Sequence, residues 1–409
     1  MRLVRFAVFL QFLLLAALVA CGGGGNGGGG VPAPVITAFT ATPATVNLGQ
    51  GATLSWTVSG ATALSISPGV GSVAGTSVVV TPVATTTYLL TASGAGGSAT
   101  ASATVTVLPP PPSVERTVDP RTTDPLIATY LNPHVAINPD PSAAPRNALF
   151  VFLPGTGGQP ANQRLIVRTG AARGYHAIGL MYPNTPSVGS LCNDSADPDA
   201  HWKARREICT GENLSSLVDV APVESIEHRL EALLAHLHAA YPAEGWGSYL
   251  SAGKADWTKI VVAGHSQGGG HAGVLAKLHP LLRTVCFSSP ADWRSPVNQP
   301  ASWYALAGAT PASRIYGFSH LQDELVPWSE LNLNWSALGL AAFGPAVSVD
   351  SAAAPFGGSH RLSSNADHAS VSPLYPAPFH SATVVDAATP VLGDGSPRYR
   401  PVWIQLCFP

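Results

Sequence analysis

The stretch from Ile260 to Ala272 constrains the fold of this chain more than any other. Residues 260–263 are apolar and mostly β-branched, which predicts a buried strand, and they run directly into Gly264-His265-Ser266-Gln267-Gly268. Small residues follow that can begin a helix. So tight a turn strains the serine backbone, and glycine at 264 and 268 leaves room for the neighbouring chain. The pattern therefore predicts a serine hydroxyl held above a sheet, beside the N–H groups of a helix N-terminus.

This strand, turn and helix resemble the nucleophile elbow of the α/β-hydrolase superfamily. The run from Gly264 to His271, together with the layout from residue 288 to the C terminus, resembles a branch of secreted bacterial members. The resemblance covers the C-terminal part of the chain. It implies an α/β-hydrolase fold with a mostly parallel central sheet and Ser266 as the nucleophile. It also implies an acid and then a histidine later in the chain.

A serine hydroxyl needs a base, and the base needs a carboxylate that orients it. Asp323 follows the predicted strand Arg314–Phe318 and precedes Leu325-Val326-Pro327, which resembles the acid turn of the superfamily. We expect Asp323 to be the acid. Glu324 is adjacent and should point the other way. Asp292, after the preceding strand, is the rival acid, but it is expected to cap a loop instead.

Three histidines follow the last predicted strand, Val347–Val349, in loop-like sequence: His360, His368 and His380. At most one of them can be the base, and the others should be structural or line the pocket. His380 lies in the last such loop and looks most like the corresponding segment of related secreted hydrolases. We therefore favour His380 and keep His368 and His360 as alternatives.

Negative charge develops on the carbonyl oxygen of the substrate during attack, so hydrogen-bond donors must already point at it. One donor should be the backbone N–H of Gln267, directly after the nucleophile. The other should come from the glycine-rich loop Leu153–Gly158, after an early strand, where Thr156 or Gly157 is placed to donate.

The rest of the chain divides by composition. Residues 31–108 hold little charge and several short alternating runs, which predicts a small antiparallel β-sandwich with Trp56 in its core. This region resembles the disulfide-free immunoglobulin-like domains of bacterial surface proteins. A proline hinge at residues 109–113 separates it from residues 114–409, where strand and helix patterns alternate as in a parallel α/β domain. Predicted helices in that domain include Arg164–Arg173 and Val223–Ala240.

The N-terminus predicts export. Arg2 and Arg5 precede an apolar run from Phe6 to Val19, which is typical of a secretory signal. The cysteine at position 21 resembles the lipobox cysteine of bacterial lipoproteins. The resemblance implies a signal peptide over residues 1–20, lipidation of Cys21, a glycine-rich tether over residues 21–30 and anchoring in the outer membrane.

Four further cysteines remain: Cys192, Cys209, Cys286 and Cys407. An even count in an exported protein predicts two disulfides, and three pairings are open. Cys192–Cys209 would close a short loop, and Cys286–Cys407 would connect a core strand to the C-terminal segment. Buried free thiols are the alternative, which suits Cys286 best because it lies within an apolar strand.

Charged residues make up 11% of the chain and the formal net charge is -2. Without a basic patch, nucleic acid is not expected as a partner. No cofactor and no metal is expected either. Two groups of residues could suggest metal ligands. The histidines His228, His236 and His238 are expected on a solvated helix face, and the aspartates Asp194, Asp197 and Asp199 in the polar insertion 183–220.

These features predict a lipid-anchored serine hydrolase that cleaves carboxylic esters through an acyl-enzyme. Its partners would be a small-molecule or polymer ester substrate and, through acylated Cys21, the lipid bilayer, and we expect a monomer. The alternative is a non-catalytic surface binding or adhesion protein on a hydrolase-like scaffold.

Overall fold

The computed structural model describes residues 31–47, 50–108, 112–367 and 377–409. The predicted signal peptide, Cys21, the glycine-rich tether, residues 109–111 of the predicted hinge and His368 lie outside the described residues. The chain divides into two compact units, Met1–Pro109 and Pro110–Pro409. Within the described part, no helix combines the length and the hydropathy that crossing a bilayer requires.

The first unit consists of β-strands arranged in a three-stranded sheet, ordered β1-β3-β6, and a five-stranded sheet, ordered β2-β8-β7-β4-β5. The strands are β1 (Val35–Thr42), β2 (Thr45–Asn47), β3 (Ala52–Ser59), β4 (Ala63–Ser67), β5 (Gly71–Ser72), β6 (Ser77–Val80), β7 (Thr86–Gly94) and β8 (Gly97–Leu108).

Both sheets contribute side chains to one buried cluster. Leu54 and Trp56 come from the smaller sheet, and Leu90 and Val105 from the larger one. Because alternate residues of a strand face opposite sides, the polar residues between Leu54 and Trp56 and on either side of them point away from this cluster. Trp56 therefore lies in the core of the unit.

The second unit is a mixed α/β structure. Its strands are β9 (Glu115–Val118), β10 (His134–Ile137), β11 (Leu149–Leu153), β12 (His176–Gly179), β13 (Leu250–Ser251), β14 (Lys254–Ala255), β15 (Ile260–His265), β16 (Arg283–Phe287), β17 (Trp293–Arg294), β18 (Gln299–Pro300), β19 (Ile315–His320), β20 (Val347–Ser348) and β21 (Arg361–Ser364). Its helices are α1 (Pro120–Thr123), α2 (Arg164–Ala172), α3 (Val188–Cys192), α4 (Ala200–Thr210), α5 (Ile226–Ala240), α6 (Gln267–Leu278), α7 (Trp328–Ala337), α8 (Pro378–Ala382) and α9 (Arg400–Cys407).

A nine-stranded sheet in the order β20-β21-β19-β16-β15-β11-β12-β10-β9 forms the centre of this unit. In this sheet, β10 pairs in antiparallel fashion with β9 and with β12, and the other pairs among the described strands are parallel. The predicted mixed α/β class with a mostly parallel sheet is confirmed.

Two hydrophobic clusters cover the two faces of this sheet. In β11, Leu149, Val151 and Leu153 belong to one cluster, whereas Phe150 and Phe152 belong to the other. Helices α4, α5, α6 and α7 contribute to the first cluster, and α2 and α9 to the second. A sheet buried on both faces requires strands that are apolar throughout, which explains the continuous apolar runs of β11 and β15.

The strand order reverses at β11. The chain moves from β11 to β12 on one side and returns to place β15 on the other. Leu153 at the end of β11 is paired with Gly264 near the end of β15. In open α/β sheets, ligands bind beyond the carboxyl ends of the strands at such a reversal, so this edge is where a site is expected.

Two local predictions needed adjustment. The helix predicted over Val223–Ala240 begins at Ile226, because residues 222–224 form a 3-10 turn and the Ser225 hydroxyl accepts a hydrogen bond from the N–H of His228. The strand predicted at Val347–Val349 is present as β20, but β21 lies between β20 and β19 in the sheet.

The two predicted disulfides are wrong, because all four described cysteines are buried free thiols. Val285 and Phe287 of β16 belong to the cluster that contains Cys407, whereas Cys286 points to the other face and donates to the carbonyl of Gly269 at 3.4 Å. The sheet itself thus separates Cys286 from Cys407. The Cys209 sulfur packs against His271 instead, 4.0 Å from Nδ1.

We predict that Cys192, Cys209, Cys286 and Cys407 all react with iodoacetamide after unfolding in guanidinium without reductant, and only slowly before it. Burial raises the pKa of Cys192 and Cys286 to about 12, so little thiolate exists in the native protein. Peptide mass spectrometry measures the alkylation of each residue. Recovery of any two of these peptides as a disulfide-linked pair would contradict the prediction.

Candidate active site

Ser266 lies between β15 and α6 in a conformation that L-residues rarely adopt, with φ 53° and ψ −119°. Its N–H donates to the carbonyl of Phe287 at 2.9 Å, and its own carbonyl accepts from Gly269 and Gly270. Residues in such sparsely populated regions persist only where the surroundings hold them, and they concentrate at functional sites. The sequence-predicted turn is therefore present, and it lies at the carboxyl edge of the sheet where β11 and β15 end.

The close approach of three backbone segments explains both glycines of this turn. A Cβ at Gly268 would lie 2.1 Å from the carbonyl oxygen of Leu153, and a Cβ at Gly264 would lie 2.3 Å from the carbonyl of Gly268. Neither contact can be relieved by rotating a side chain, because the obstructing atoms are backbone. Glycine at these positions lets the start of α6 pack directly against the end of β11.

Asp323 and His380 form a buried pair. Nδ1 of His380 lies 2.8 Å and 2.9 Å from the two carboxylate oxygens of Asp323, and the side chains are 4% and 0% exposed. Because a carboxylate only accepts, Nδ1 carries the proton and Nε2 is left as the acceptor. Nε2 is buried and has no hydrogen-bond partner among the described residues.

The turn after β19 holds the Asp323 carboxylate. The N–H groups of Leu325 and Val326 each donate to Oδ1 at 2.9 Å. Burial raises the pKa of Asp323, but the hydrogen bonds from His380 and from these two N–H groups outweigh it and hold the pKa below its usual range. The carboxylate is thus charged at neutral pH and able to stabilise a protonated imidazole.

The backbone of His380 is also held on both sides. Its N–H donates to Glu324 at 2.9 Å, and its carbonyl accepts from Nε2 of His265 at 3.0 Å and from the hydroxyl of Ser288 at 2.8 Å. Burial lowers the pKa of His265 to about 3, so His265 is neutral. Glu324 and His265, each adjacent in sequence to a predicted catalytic residue, therefore position the element that carries His380.

The other two candidate histidines differ in location. His360 lies before β21, at the amino ends of the strands and so on the side of the sheet opposite Ser266. Its Nδ1 donates to the carbonyl of Ile315 at 2.8 Å. Its ring stacks on Tyr316 and Phe343, each with centroids 4.0 Å apart. His368 lies outside the described residues.

The two predicted oxyanion donors belong to different elements, Gln267 to the start of α6 and Thr156 to the loop after β11. Gln267 is the first residue of α6, and N–H groups in the first turn of a helix have no partner within the helix. In the loop after β11, the N–H of Gly157 donates to Asn184 and that of Gly158 donates to Gly155. The N–H of Thr156 has no acceptor within the described ranges, so the loop leaves Thr156 rather than Gly157 available.

Asp292, the rival acid, does not cap a loop. It forms a fully buried ion pair with Arg205 of α4, in which Nε and Nη2 donate to the two carboxylate oxygens at 2.6 Å and 2.5 Å. Trp303 donates to the same carboxylate at 2.7 Å. Burial raises the pKa of Asp292, but the charge and hydrogen bonds of Arg205 outweigh it and lower the pKa to about 2.

Arg205 is one residue whose role sequence reasoning missed. Its Nη1 donates to the backbone carbonyl of Gln267 at 3.0 Å, so the guanidinium links the polar insertion to the peptide after Ser266. The available signal was its position in α4, where Arg205 lies on the same helical face as Ile208 and Cys209, both buried. A charge on the buried face of a helix requires a buried partner.

A cavity of about 750 Å³ opens at this edge of the sheet. Ser266, Gln267, Thr156, Arg205 and His380 all line it. Over the described ranges no cluster of three or more potential metal ligands occurs. In the insertion, Asp197 forms an ion pair with Lys203.

No family model and no curated protein matches this chain. Among solved structures, it is similar to the crystal structure of XC6422 from Xanthomonas campestris, described as an α/β serine hydrolase without a lid. The identity is 14%, the match covers 63% of this chain and 85% of that chain, and the TM-score is 0.31.

We predict that Asp292→Asn lowers the free energy of unfolding by about 3 kcal/mol, because it leaves the Arg205 charge buried without a counter-ion. Urea denaturation measures the change. Asp197→Asn is the matched control, since its partner Lys203 lies on the same helix but both side chains are about two-fifths exposed (42% and 41%). An equal effect of the two substitutions would contradict the assignment of a buried pair.

The same pair predicts a pH dependence. The folded-state pKa of Asp292 is depressed to about 2, so the carboxylate stabilises the fold above about pH 4 and this contribution is lost as the pH falls towards 2. The difference in unfolding free energy between the parent protein and Asp292→Asn should therefore shrink over this range. A constant difference would argue against ionisation of Asp292.

Proposed function

We propose that the second unit is a serine hydrolase of the α/β-hydrolase fold that cleaves carboxylic esters through an acyl-enzyme. The observation that carries the proposal is the buried Asp323–His380 pair. Nε2 of His380 has no hydrogen-bond partner among the described residues, and His380 lines the same cavity as Ser266. A neutral imidazole oriented by a carboxylate is what a serine hydroxyl needs to become a nucleophile.

The topology supports the same interpretation. Ser266 follows β15, Asp323 follows β19 and His380 comes after β21, so the three residues occur in the order nucleophile, acid, base along the chain. These strands are parallel to one another through β16, so their carboxyl ends lie at one edge of the sheet.

In the proposed reaction, Nε2 of His380 takes the proton of the Ser266 hydroxyl while the oxygen attacks the ester carbonyl carbon. The negative charge that forms on the carbonyl oxygen is stabilised by the N–H groups of Gln267 and Thr156. When the intermediate collapses, the carbon–oxygen bond to the alcohol breaks, and the imidazolium returns the proton to the leaving alkoxide. The same imidazole then deprotonates water, whose oxygen attacks the acyl carbon. The bond from this carbon to the Ser266 oxygen breaks, the acid leaves, and the imidazolium returns the proton to Ser266.

We propose export, lipidation at Cys21 and anchoring at the outer membrane, on the basis of the N-terminal pattern. We also propose that the first unit is an immunoglobulin-like domain, supported by its two sheets and their shared core around Trp56.

We predict that a fluorophosphonate probe labels Ser266 and that short p-nitrophenyl esters are hydrolysed. Ser266→Ala should abolish both signals, and Asp323→Asn should lower kcat by about four orders of magnitude because the imidazole loses its orienting acceptor. Probe labelling and a spectrophotometric assay measure the two effects. Full ester turnover by Ser266→Ala would contradict the proposal, and no labelling with no turnover would favour the non-catalytic binding protein.

Of the three histidines, we predict that His380→Ala alone reduces kcat to the level of Ser266→Ala. His360→Ala removes a ring stacked at the far edge of the sheet, and His368→Ala tests the candidate outside the described residues. Both controls should retain activity, measured as kcat per folded molecule, with the folded fraction determined by circular dichroism. Loss of activity in folded His368→Ala with retention in His380→Ala would reassign the base.

A further inference from the structure

We infer that this site, given the esterase activity proposed above, is selective for esters that carry a hydroxyl group beside the bond to be cleaved, and that the Gln163 side chain binds this hydroxyl. The inference comes from one feature of the cavity: two amide side chains in its wall, those of Gln163 and Gln267, have unused hydrogen-bonding capacity.

Polar residues and glycines outnumber apolar residues among those that line the cavity. Glycine, serine, threonine, asparagine and glutamine supply much of its lining, together with the catalytic candidates and the Arg205–Asp292 pair. Apolar side chains are confined to Ala291, Leu325, Val326, Ala377 and Val385.

Gln163 ends the 3-10 turn Pro160–Gln163 that precedes α2, and it lines the cavity while being only 2% exposed. Its Oε1 is buried without a hydrogen-bond partner, and within the described residues its Nε2 makes no hydrogen bond either. Exchanging the two ends of the amide would change nothing, because both lack partners. The side chain thus presents an unused donor and an unused acceptor.

Gln267 contributes a second unused group. Its Oε1 accepts from the N–H of Val188 at 2.8 Å and from the hydroxyl of Thr156 at 3.3 Å, which determines the orientation of the amide. Nε2 is therefore the remaining donor, and it is buried with no partner in the described part of the chain. Gln267 directly follows the nucleophile, so this donor belongs to the part of the wall next to Ser266.

Buried polar groups are almost always hydrogen-bonded, and a group left unpaired is unfavourable by an amount comparable to a lost hydrogen bond. A ligand hydroxyl can both donate to the amide oxygen and accept from the amide nitrogen. An ester without such a group would leave these amides unpaired in the complex. Sites built to bind a hydroxyl discriminate strongly against the analogue that lacks it.

The test compares substrates that differ by one class of group. Parent protein is assayed with p-nitrophenyl lactate against p-nitrophenyl propionate, which places the hydroxyl on the acyl side. Glycerol monoacetate against propyl acetate places it on the alcohol side. We expect kcat/KM to favour the hydroxylated member of at least one pair by about ten-fold or more. The pair that shows the preference identifies which half of the ester carries the hydroxyl.

Gln163→Leu tests the role of the side chain. We expect it to lower the ratio of kcat/KM within the preferred pair to about one, because leucine fills a similar volume with no polar group. Gln163→Met provides an unbranched second variant if the leucine protein does not fold. Gln299→Leu, an exposed glutamine that does not line the cavity, is the matched control and should retain the ratio of the parent protein.

The outcomes separate this inference from the proposed function. Labelling of Ser266 with equal kcat/KM in both pairs would overturn the inference and leave the esterase intact. A preference that survives Gln163→Leu and Gln163→Met would overturn the role of Gln163. Absence of both labelling and turnover would overturn the proposed function and the inference together.

Discussion

The close approach of β11, β15 and α6 is the constraint on which the edge of the sheet depends. Gly264 and Gly268 carry no Cβ, so the first turn of α6 can lie against the carbonyl of Leu153 without displacing backbone. This contact leaves Ser266 at φ 53°, above the sheet and at the start of the helix. Since the obstructing atoms are all main-chain atoms, no side-chain rearrangement could compensate for a larger residue.

Around this turn, polar contacts hold each element before any ligand binds. The ring of His380 is oriented by Asp323, its N–H is bound by Glu324 and its carbonyl is bound by His265 and Ser288. Groups held in this way need little reorganisation during a reaction, which is a principal source of the electrostatic stabilisation proteins provide. Burial alone would raise the pKa of a buried carboxyl group. The hydrogen bonds and the opposite charges around these carboxylates offset that effect.

The Arg205–Asp292 pair performs a comparable role beneath the nucleophile turn. It joins α4 of the polar insertion to the loop after β16, and Arg205 also binds the carbonyl of Gln267. Compared with apolar packing, a buried ion pair is rarely a net source of stability, but it forms only in a defined arrangement of the two side chains. The insertion is thereby held in a defined position at the wall of the cavity.

Local patterns were sufficient for part of this structure. The apolar run before Ser266 and the flanking glycines predicted a strand, a tight turn and a helix, because each depends on neighbouring residues. The polar strand Arg361–Ser364 was missed, since it is short and has no apolar alternation, and its place between β19 and β20 comes from pairing with distant residues. The disulfide prediction failed for a related reason, because the number of cysteines does not reveal which face of a sheet each one occupies.

By itself, the sequence determined the order of the elements, the strained turn at Ser266, the apolar strands that require burial on both faces and the residue types available for chemistry. Only the tertiary structure decided that His380 and not His360 lies beside Asp323, that Asp292 is bound to Arg205, and that Gln163 is left with an unpaired amide. The physical reason is that these contacts join residues far apart in the chain. They form only once the parallel strands bring their carboxyl ends to one edge of the sheet.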